Sequence, residues 1–216
     1  MNKVYIVGAG PGAPDLITVR GMDLLRKADV LIYAGSLVNP ALVEESGAAL
    51  KLDSQNMKLD EIVGAIEEHV RAGGLVVRLH SGDPSLYGAI VEQMAELERR
   101  GIEAEIVPGV SSLFAASAAL RTQFTLRDVS ESLVITRPAG ATLERDLIPE
   151  FSRLGQTMWS FSGRNGWRRS SPGSSARPRP PRRSSTTHHG LTRRLSGGRW
   201  PISPGRPALP GSSGRR

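Results

Sequence analysis

The 216-residue chain contains no cysteine. It therefore has no disulfide, no thiolate metal ligand and no cysteine nucleophile, and a reducing compartment is the expected setting. Long apolar runs are also missing, since residues 4–7 fall far short of the roughly 20 residues that a membrane helix needs. The first three residues lack the charge and the length of a targeting segment. We expect a cytoplasmic protein without a membrane partner or a metal site.

Lysine and acidic residues are absent from residues 158–216. This segment contains 13 Arg and no Lys, Asp or Glu, so its formal charge is +13. The whole chain has a net charge of +7, so residues 1–157 carry 7 − 13 = −6. The positive charge that would suggest nucleic acid is therefore confined to this segment. It has no organised aromatic or basic platform, so we expect no specific nucleic-acid binding.

The same segment holds all three Trp and 8 of the 15 Pro, without helical or strand periodicity. We predict that it does not fold from about Met158 onward, because proline excludes long helices and central strands. A native disordered tail and a shifted reading frame in a GC-rich gene both explain an Arg, Pro, Ser and Gly mixture. The lack of Lys and Glu favours the shifted frame, since disordered tails are usually rich in both.

The most informative stretch is LVVRLHSGDPSLYGA, residues 75–89. Its apolar start predicts a buried strand that ends at about His80. Gly82, Asp83 and Pro84 are turn formers, and we expect the next helix to begin near Ser85. Ligands bind at the carboxyl ends of strands in open α/β sheets, because loop amides and helix N-termini converge there.

Similar units of strand, loop and helix repeat along the first half of the chain. Predicted strands are residues 3–7, 30–33, 75–80 and 104–107, with 49–52 as an edge strand. Predicted helices are residues 18–27, 59–72, 89–100 and 113–120. This alternation indicates an α/β fold with a parallel, doubly wound sheet and right-handed crossovers. Three unusual loops at the carboxyl ends of these strands should then share one rim.

A second sheet is predicted to begin with a strand at residues 133–136. A helix at residues 143–154 follows, with Leu147, Phe151 and Leu154 expected to face inward. We therefore divide the chain into an N-terminal α/β domain (1–117), the start of an incomplete second α/β domain (118–157) and a tail (158–216).

Gly8, Gly10 and Ala13 satisfy a relaxed dinucleotide fingerprint, which makes an NAD-dependent oxidoreductase one alternative. Two features oppose it. Pro11 removes an amide from the loop that would hold the pyrophosphate. The second predicted strand ends in Ala34-Gly35 instead of the acidic residue that would bind the ribose.

Four motifs together carry a resemblance to a known family: VGAGPGAPDLITVRG (7–21), YAGSLVNP (33–40), VVRLHSGDPSLYGAI (76–90) and VPGVSS (107–112). With them, roughly residues 2–157 closely resemble the tetrapyrrole methylases. The second and third motifs resemble the branch that methylates carbon 11 of precorrin-4 or cobalt-precorrin-4 in cobalamin biosynthesis. Nothing after about Met158 resembles this family.

The resemblance implies a two-domain α/β enzyme, usually a homodimer, that binds S-adenosylmethionine between its domains and a corrin precursor in the adjoining trough. The positions that match cofactor contacts of the family are Pro11, Ser81, Gly82, Asp83, Leu86, Ser111 and Ser112. A homodimer is expected if the C-terminal domain were intact. An inactive truncated methylase and a non-enzymatic RNA binder remain alternatives to an active enzyme.

No catalytic residue is assigned. Related uroporphyrinogen-III methyltransferases carry an aspartate directly after the tyrosine that ends the second strand, where this chain has Ala34. Either the base lies elsewhere or the electron-rich carbon of the substrate needs little basic help. We expect direct in-line displacement at the sulfonium methyl, with catalysis by positioning and desolvation. His80, at the predicted rim, is interpreted as structural.

Overall fold

The structure is a computed structural model that describes residues 3–139, 145 and 147–161. These residues belong to the first of the two units, 1–167 and 168–216, into which the chain divides. The predicted tail beyond Phe161 and part of the predicted helix at 143–154 lie outside the described residues.

A five-stranded sheet forms the centre of the N-terminal part, with the strand order β3-β2-β4-β1-β5. All four pairings are parallel. The strands are β1 (Lys3–Gly8), β2 (Val30–Tyr33), β3 (Leu50–Asp53), β4 (Val76–His80) and β5 (Glu103–Val107). β3 lies at the edge and β4 at the centre, as the sequence predicts.

Five helices follow the five strands: α1 (Val19–Lys27), α2 (Pro40–Glu45), α3 (Leu59–Arg71), α4 (Ile90–Arg99) and α5 (Ser112–Leu120). The connections from β1 to β3 run across the sheet in one direction, and those from β3 to β5 run back. Right-handed crossovers therefore place α1 and α2 on one face and α3 and α4 on the other. The predicted α/β, doubly wound class is confirmed.

Two apolar clusters cover the two faces of the sheet. On one face, Leu25 of α1 and Leu42 of α2 pack with Val7 and other inward residues. On the other face, Ile66 of α3 and Leu97 of α4 pack with a second set of strand residues. The inner strands β1, β2 and β4 are mostly buried on both faces, which is why they read as short continuous apolar runs.

α4 matches the predicted helix at 89–100, but it begins later than the start near Ser85 that the turn formers predict. The helix begins at Ile90 instead of near Ser85, because two residues before it have left-handed backbone. Tyr87 has a φ of 57° and Ala89 a φ of 49°, which a right-handed helix does not allow. Gly88 lies between them, and a Cβ there would be 2.2 Å from the carbonyl oxygen of Pro84. Residues 84–87 therefore form a tight turn at the end of β4.

A second, two-stranded parallel sheet follows, formed by β6 (Leu133–Thr136) and β7 (Thr157–Ser160). β7 corrects the prediction that nothing from about Met158 folds, since residues 158–160 are paired in register with β6. Trp159 also packs edge-to-face against Phe124 and Phe161. The sequence prediction missed β7 because the charge and proline content of the residues that follow outweighed the short alternation of small and aromatic side chains in this strand.

The helix between these strands, α6 (Ile148–Ser152), is shorter than predicted, and it buries none of its described residues. Leu147 is 42% exposed and Leu154 is 57% exposed, so the prediction that both face inward is wrong. Phe151, the third residue predicted to face inward, is half-buried.

Candidate functional site

Three loops meet by direct backbone contact at the carboxyl ends of the neighbouring strands β4, β1 and β5. A Cβ on Gly8 would be 2.6 Å from the Cα of Gly109 and 2.7 Å from the carbonyl oxygen of Gly82. A Cβ on Gly109 would be 2.2 Å from that same carbonyl. Side chains are therefore excluded at Gly8 and Gly109, and this close approach is what glycine permits.

The loops after β1 and β4 are further joined by paired hydrogen bonds. The amide of Gly10 donates to the carbonyl of Gly82 at 3.2 Å, and the amide of Gly82 donates back to Gly10 at 2.8 Å. Ala9 also donates to the carbonyl of His80 at 2.7 Å. Gly10 and Gly82 have φ values of 78° and 64°, so this bridge depends on glycine at both positions.

Asp83 joins the loop after β4 to the loop after β5. Its Oδ2 accepts a hydrogen bond from the amide of Gly109 at 2.8 Å. Its Oδ1 accepts from the amide of Ser85 at 2.9 Å and from the Ser85 hydroxyl. Partial burial pushes the pKa of Asp83 upward, but the bonds from Ser85 and Gly109 together lower that pKa below its usual range. The carboxylate is therefore ionised and structurally engaged.

Asn39 joins the loop after β2 to the loop after β1. Its Nδ2 donates to the carbonyl of Gly12 at 2.6 Å, and its Oδ1 accepts from the amide of Ala41 at 2.9 Å. The second bond caps α2, whose first residue is Pro40. The four loops thus form one hydrogen-bonded rim, residues 9–13, 34–39, 81–86 and 108–112.

A buried cation lies beneath the rim. Arg78, on β4, is only 6% exposed, and its Nη1 donates to the carbonyl of Ile32 at 3.3 Å. Burial lowers the pKa of Arg78 to about 10, which the nearby carboxylate of Asp53 opposes. The Oδ1 of Asp53 accepts from the amides of Gly35 and Gln55, each at 2.9 Å. These bonds, from Gly35 first, lower the pKa of Asp53, so an ionised carboxylate fixes the start of the loop after β2.

His80 ends the same strand as Arg78. Its Nε2 is buried and has no hydrogen-bond partner among the described residues. Burial lowers the pKa of His80 to about 4, and the neighbouring charge of Arg78 adds to this effect. The imidazole is therefore neutral at physiological pH. The structural interpretation of His80 made from the sequence stays a prediction.

The structure brings all seven predicted contact residues to this rim. Pro11 is at the tip of the loop after β1, and Ser81, Gly82 and Asp83 follow β4 directly. Leu86 is half-buried in the turn after Asp83, and its amide donates to the Asp83 carbonyl at 3.2 Å. Whether these residues contact a cofactor stays a prediction.

Ser111 and Ser112 lie at the start of α5, close to Gly82. A Cβ on Gly82 would be 3.8 Å from the Cα of Ser111 and 3.9 Å from the amide nitrogen of Ser112. The Ser111 hydroxyl is 3% exposed and accepts from the amide of Leu113 at 3.3 Å, as a helix cap. Its geometry therefore favours a structural role for the hydroxyl, whereas Ser112 is the more accessible of the two.

The sequence analysis missed three polar residues that shape this region. Arg78 is a charge within an apolar strand, which is itself a signal of a buried ion. Asn39 precedes a proline at a helix start, a pattern typical of a cap. Gln93, assigned from the sequence to the solvated face of α4, is 4% exposed, and its Oε1 has no partner in the part of the chain that the structure describes.

Metal ligation and membrane insertion have no structural support within the described ranges. No group of three or more His, Asp or Glu residues there could hold a metal ion. No helix in the same ranges has the length and apolar content needed to cross a membrane.

Comparison with protein families gives a match to the tetrapyrrole (corrin/porphyrin) methylases over residues 3–172. The match continues past residue 157, where the sequence analysis ended the resemblance. Cobalt-precorrin-4 C(11)-methyltransferase of Methanocaldococcus jannaschii is 50% identical over 165 residues, 75% of this chain and 64% of that protein. Precorrin-4 C(11)-methyltransferase of Pseudomonas aeruginosa is 47% identical over 152 residues, 70% of this chain and 59% of that protein.

Solved structures agree with these relatives. The structure of a cobalt precorrin-4 methyltransferase, a cobalamin biosynthetic enzyme, matches with a TM-score of 0.69 at 45% identity, covering 72% of this chain and 66% of that one. A uroporphyrin-III C-methyltransferase of Thermus thermophilus, complexed with S-adenosylhomocysteine, matches with a TM-score of 0.58 at 33% identity, covering 68% and 60%. The chain spans less than two thirds of the length of the curated relatives it matches.

Proposed function

Because the chain belongs to the tetrapyrrole (corrin/porphyrin) methylases, we propose that it transfers the methyl group of S-adenosylmethionine to carbon 11 of precorrin-4 or cobalt-precorrin-4. The observation that carries the proposal is the rim, in which the loops after β1, β4 and β5 touch through Gly8, Gly82 and Gly109. Relatives named for both the cobalt-bearing and the cobalt-free substrate reach 47% identity or more, so the choice between the two stays open.

The rim fits a cofactor that carries amino, carboxylate and apolar groups. Gly12 has a φ of 118°, and a Cβ there would meet nothing within 4 Å, so open space borders the tip of the loop. The half-buried side chain of Leu86 offers an apolar wall, and Ser112 offers a hydroxyl at the start of a helix. The ionised carboxylate of Asp83 adds negative charge near Ser81 and Gly82, which suits an ammonium group.

When bound, S-adenosylmethionine supplies a methyl group made electrophilic by its sulfonium centre. The residues of this chain would bind and orient it, and would exclude water from the reacting pair. Positioning of this kind lowers the free-energy barrier of a bimolecular displacement by a large part of its height. His80 is buried and neutral, and Asp53 and Asp83 are engaged by amides, so these three groups favour a reaction without a strong general base.

The rim disfavours the dinucleotide alternative. In the dinucleotide fingerprint, loop amides and a helix N-terminus hold the pyrophosphate. Here the amide of Gly10 is bound to Gly82, and Pro11 has no amide hydrogen. β2 ends at Tyr33 and is followed by Ala34-Gly35, so the acidic residue that the fingerprint places at the end of the second strand is missing.

Calorimetry on the full 216-residue chain tests the proposal with three probes: S-adenosylhomocysteine, NAD and a short RNA. We expect saturable heat from S-adenosylhomocysteine and none from NAD, with any RNA signal disappearing at high salt. Heat from NAD alone would refute the proposal. An assay of methyl transfer on precorrin-4 with and without cobalt then identifies the substrate.

Assembly and location are further parts of the proposal. We infer a homodimer in the cytoplasm, by analogy with the family and from the lack of cysteine. Light scattering after size-exclusion chromatography checks the mass, for which a dimer requires twice 23.2 kDa. An inactive, shortened product of a methylase gene is the remaining alternative, and the methyl-transfer assay separates it from an active enzyme.

A further inference from the structure

We propose that Asn39 is a positioning residue that holds the loop after β1 in its cofactor-binding form. The inference rests on the proposed function, because it assigns that loop to S-adenosylmethionine. Asn39 itself is not a cofactor contact in this proposal; it acts through the carbonyl of Gly12.

The amide group of Asn39 serves two loops at once. Its oxygen faces the amide of Ala41, which can only donate, and its nitrogen faces the carbonyl of Gly12, which can only accept. These two partners fix the orientation of the amide group. The side chain therefore links the start of α2 to a loop that lies 27 residues earlier in the chain.

The loop after β1 is held on both sides of its tip by its own backbone. Gly10 is paired with Gly82 before the tip, and Ala13 accepts from the amide of Leu16 at 3.0 Å after it. Between them, Pro11 has no amide hydrogen, and Gly12 is free of steric neighbours on the side where a Cβ would be. The bond from Asn39 is the link that reaches the tip itself.

Two types of substitution separate the link from the helix cap. Asn39→Asp and Asn39→Ser keep an oxygen that can accept from Ala41, and both residues are good caps. Neither can donate to the Gly12 carbonyl in the way that the amide does, and the aspartate places one negatively charged oxygen against it. Asn39→Ala removes both functions and serves as the matched control for loss of the cap.

The test combines amide hydrogen exchange across residues 9–13 with calorimetry against S-adenosylhomocysteine, on the full chain. We expect faster exchange of the loop in Asn39→Asp and Asn39→Ser than in the wild type. We also expect the dissociation constant for S-adenosylhomocysteine to rise about three- to tenfold, the equivalent of one hydrogen bond of ordinary strength. The thermal unfolding midpoints of Asn39→Asp and Asn39→Ser should stay above that of Asn39→Ala, because both keep the helix cap.

The outcomes distinguish this inference from the proposed function. Unchanged exchange in both capping variants overturns the link, whatever the wild type binds. Faster exchange with unchanged affinity overturns the positioning role. If the wild type gives no heat with S-adenosylhomocysteine but the loop exchanges faster in the variants, the link is supported and the proposed function is refuted.

Discussion

The carboxylate of Asp83 and the amide of Gly109 are joined by a 2.8 Å hydrogen bond that crosses from the exit of β4 to the exit of β5. β1 lies between these two strands in the sheet. The bond therefore crosses the carboxyl end of β1, where Gly8 lies in contact with Gly109. Fold and candidate site share these residues, so changes here affect both.

Asp83→Ala should lower both stability and cofactor affinity. Its carboxylate accepts from Ser85 and Gly109, so it has structural partners besides any role in cofactor binding. We expect a loss of about 1–3 kcal/mol in the free energy of unfolding, because the Gly109 amide loses its partner. Thermal unfolding and calorimetry with S-adenosylhomocysteine measure the two effects.

Asp83→Asn is the matched control for that substitution. It keeps an oxygen for Ser85 but turns an NH2 group, which cannot accept, toward the Gly109 amide, so its stability should lie between those of the wild type and Asp83→Ala. If Asp83→Asn binds S-adenosylhomocysteine as tightly as the wild type, the charge of Asp83 has no role in cofactor binding.

Gly109→Ala should destabilise the protein strongly. The added Cβ would be 2.2 Å from the carbonyl oxygen of Gly82, which is backbone and cannot rotate away. Gly64→Ala, within α3, is a suitable control, because a Cβ there meets nothing within 4 Å. It should stabilise the helix by up to about 1 kcal/mol. Urea unfolding of both variants tests this contrast, and equal stabilities would mean that the loops separate easily.

The pH dependence of stability should report on His80. Its pKa is lowered to about 4 in the folded state, against about 6.5 in an unfolded chain. Between these values the unfolded state binds the extra proton, so stability is complete above pH 6.5 and falls as the pH drops toward 4. The loss should approach about 3 kcal/mol at most.

His80→Gln removes this titration and should flatten the decline. Unfolding is best measured between pH 4.5 and 7, because the carboxylates with lowered pKa values, such as Asp53 and Asp83, contribute only at lower pH. Parallel curves for the wild type and His80→Gln would contradict the burial of a neutral imidazole.

Much of the fold was predictable from sequence because its signals are local. Apolar strands such as β2 and β6 match the predicted bounds, and Gly73, with a φ of 86°, ends the region of α3 as expected. The rim could be placed because parallel strands bring their carboxyl ends together. The turn before α4 could not, since its left-handed backbone at Tyr87 and Ala89 and the close approach of Gly88 to the Pro84 carbonyl follow no local sequence pattern.

The partners within the rim were beyond the reach of sequence patterns. The bond from Asp83 to Gly109 was not predicted, because its partner is 26 residues away and offers only a backbone amide. Asn39 was missed, because its link to Gly12 is likewise long-range. Gln93 was assigned to the solvated face from its polarity, although its position in α4 directs it inward.

We predict that the residues beyond β7 are encoded in a shifted reading frame. β7 pairs with β6 through Ser160, and the family match ends at residue 172 of 216. Residues 158–216 contain 13 Arg without any Lys, Asp or Glu, whereas the preceding part carries both signs of charge. Such a change of composition within one protein indicates a change of frame more readily than a change of domain.

Resequencing the DNA that encodes residues 155–172 checks this prediction. We expect a one-base insertion or deletion whose correction opens a frame with ordinary Lys, Asp and Glu content and with alternating strand and helix periodicity. The corrected protein should also be more stable than the present chain, because the apolar face that includes Leu147 and Leu154, 42% and 57% exposed here, would gain a packing layer. A clean read, together with protection of residues 164–216 from limited proteolysis, would show that these residues are a genuine element of the protein.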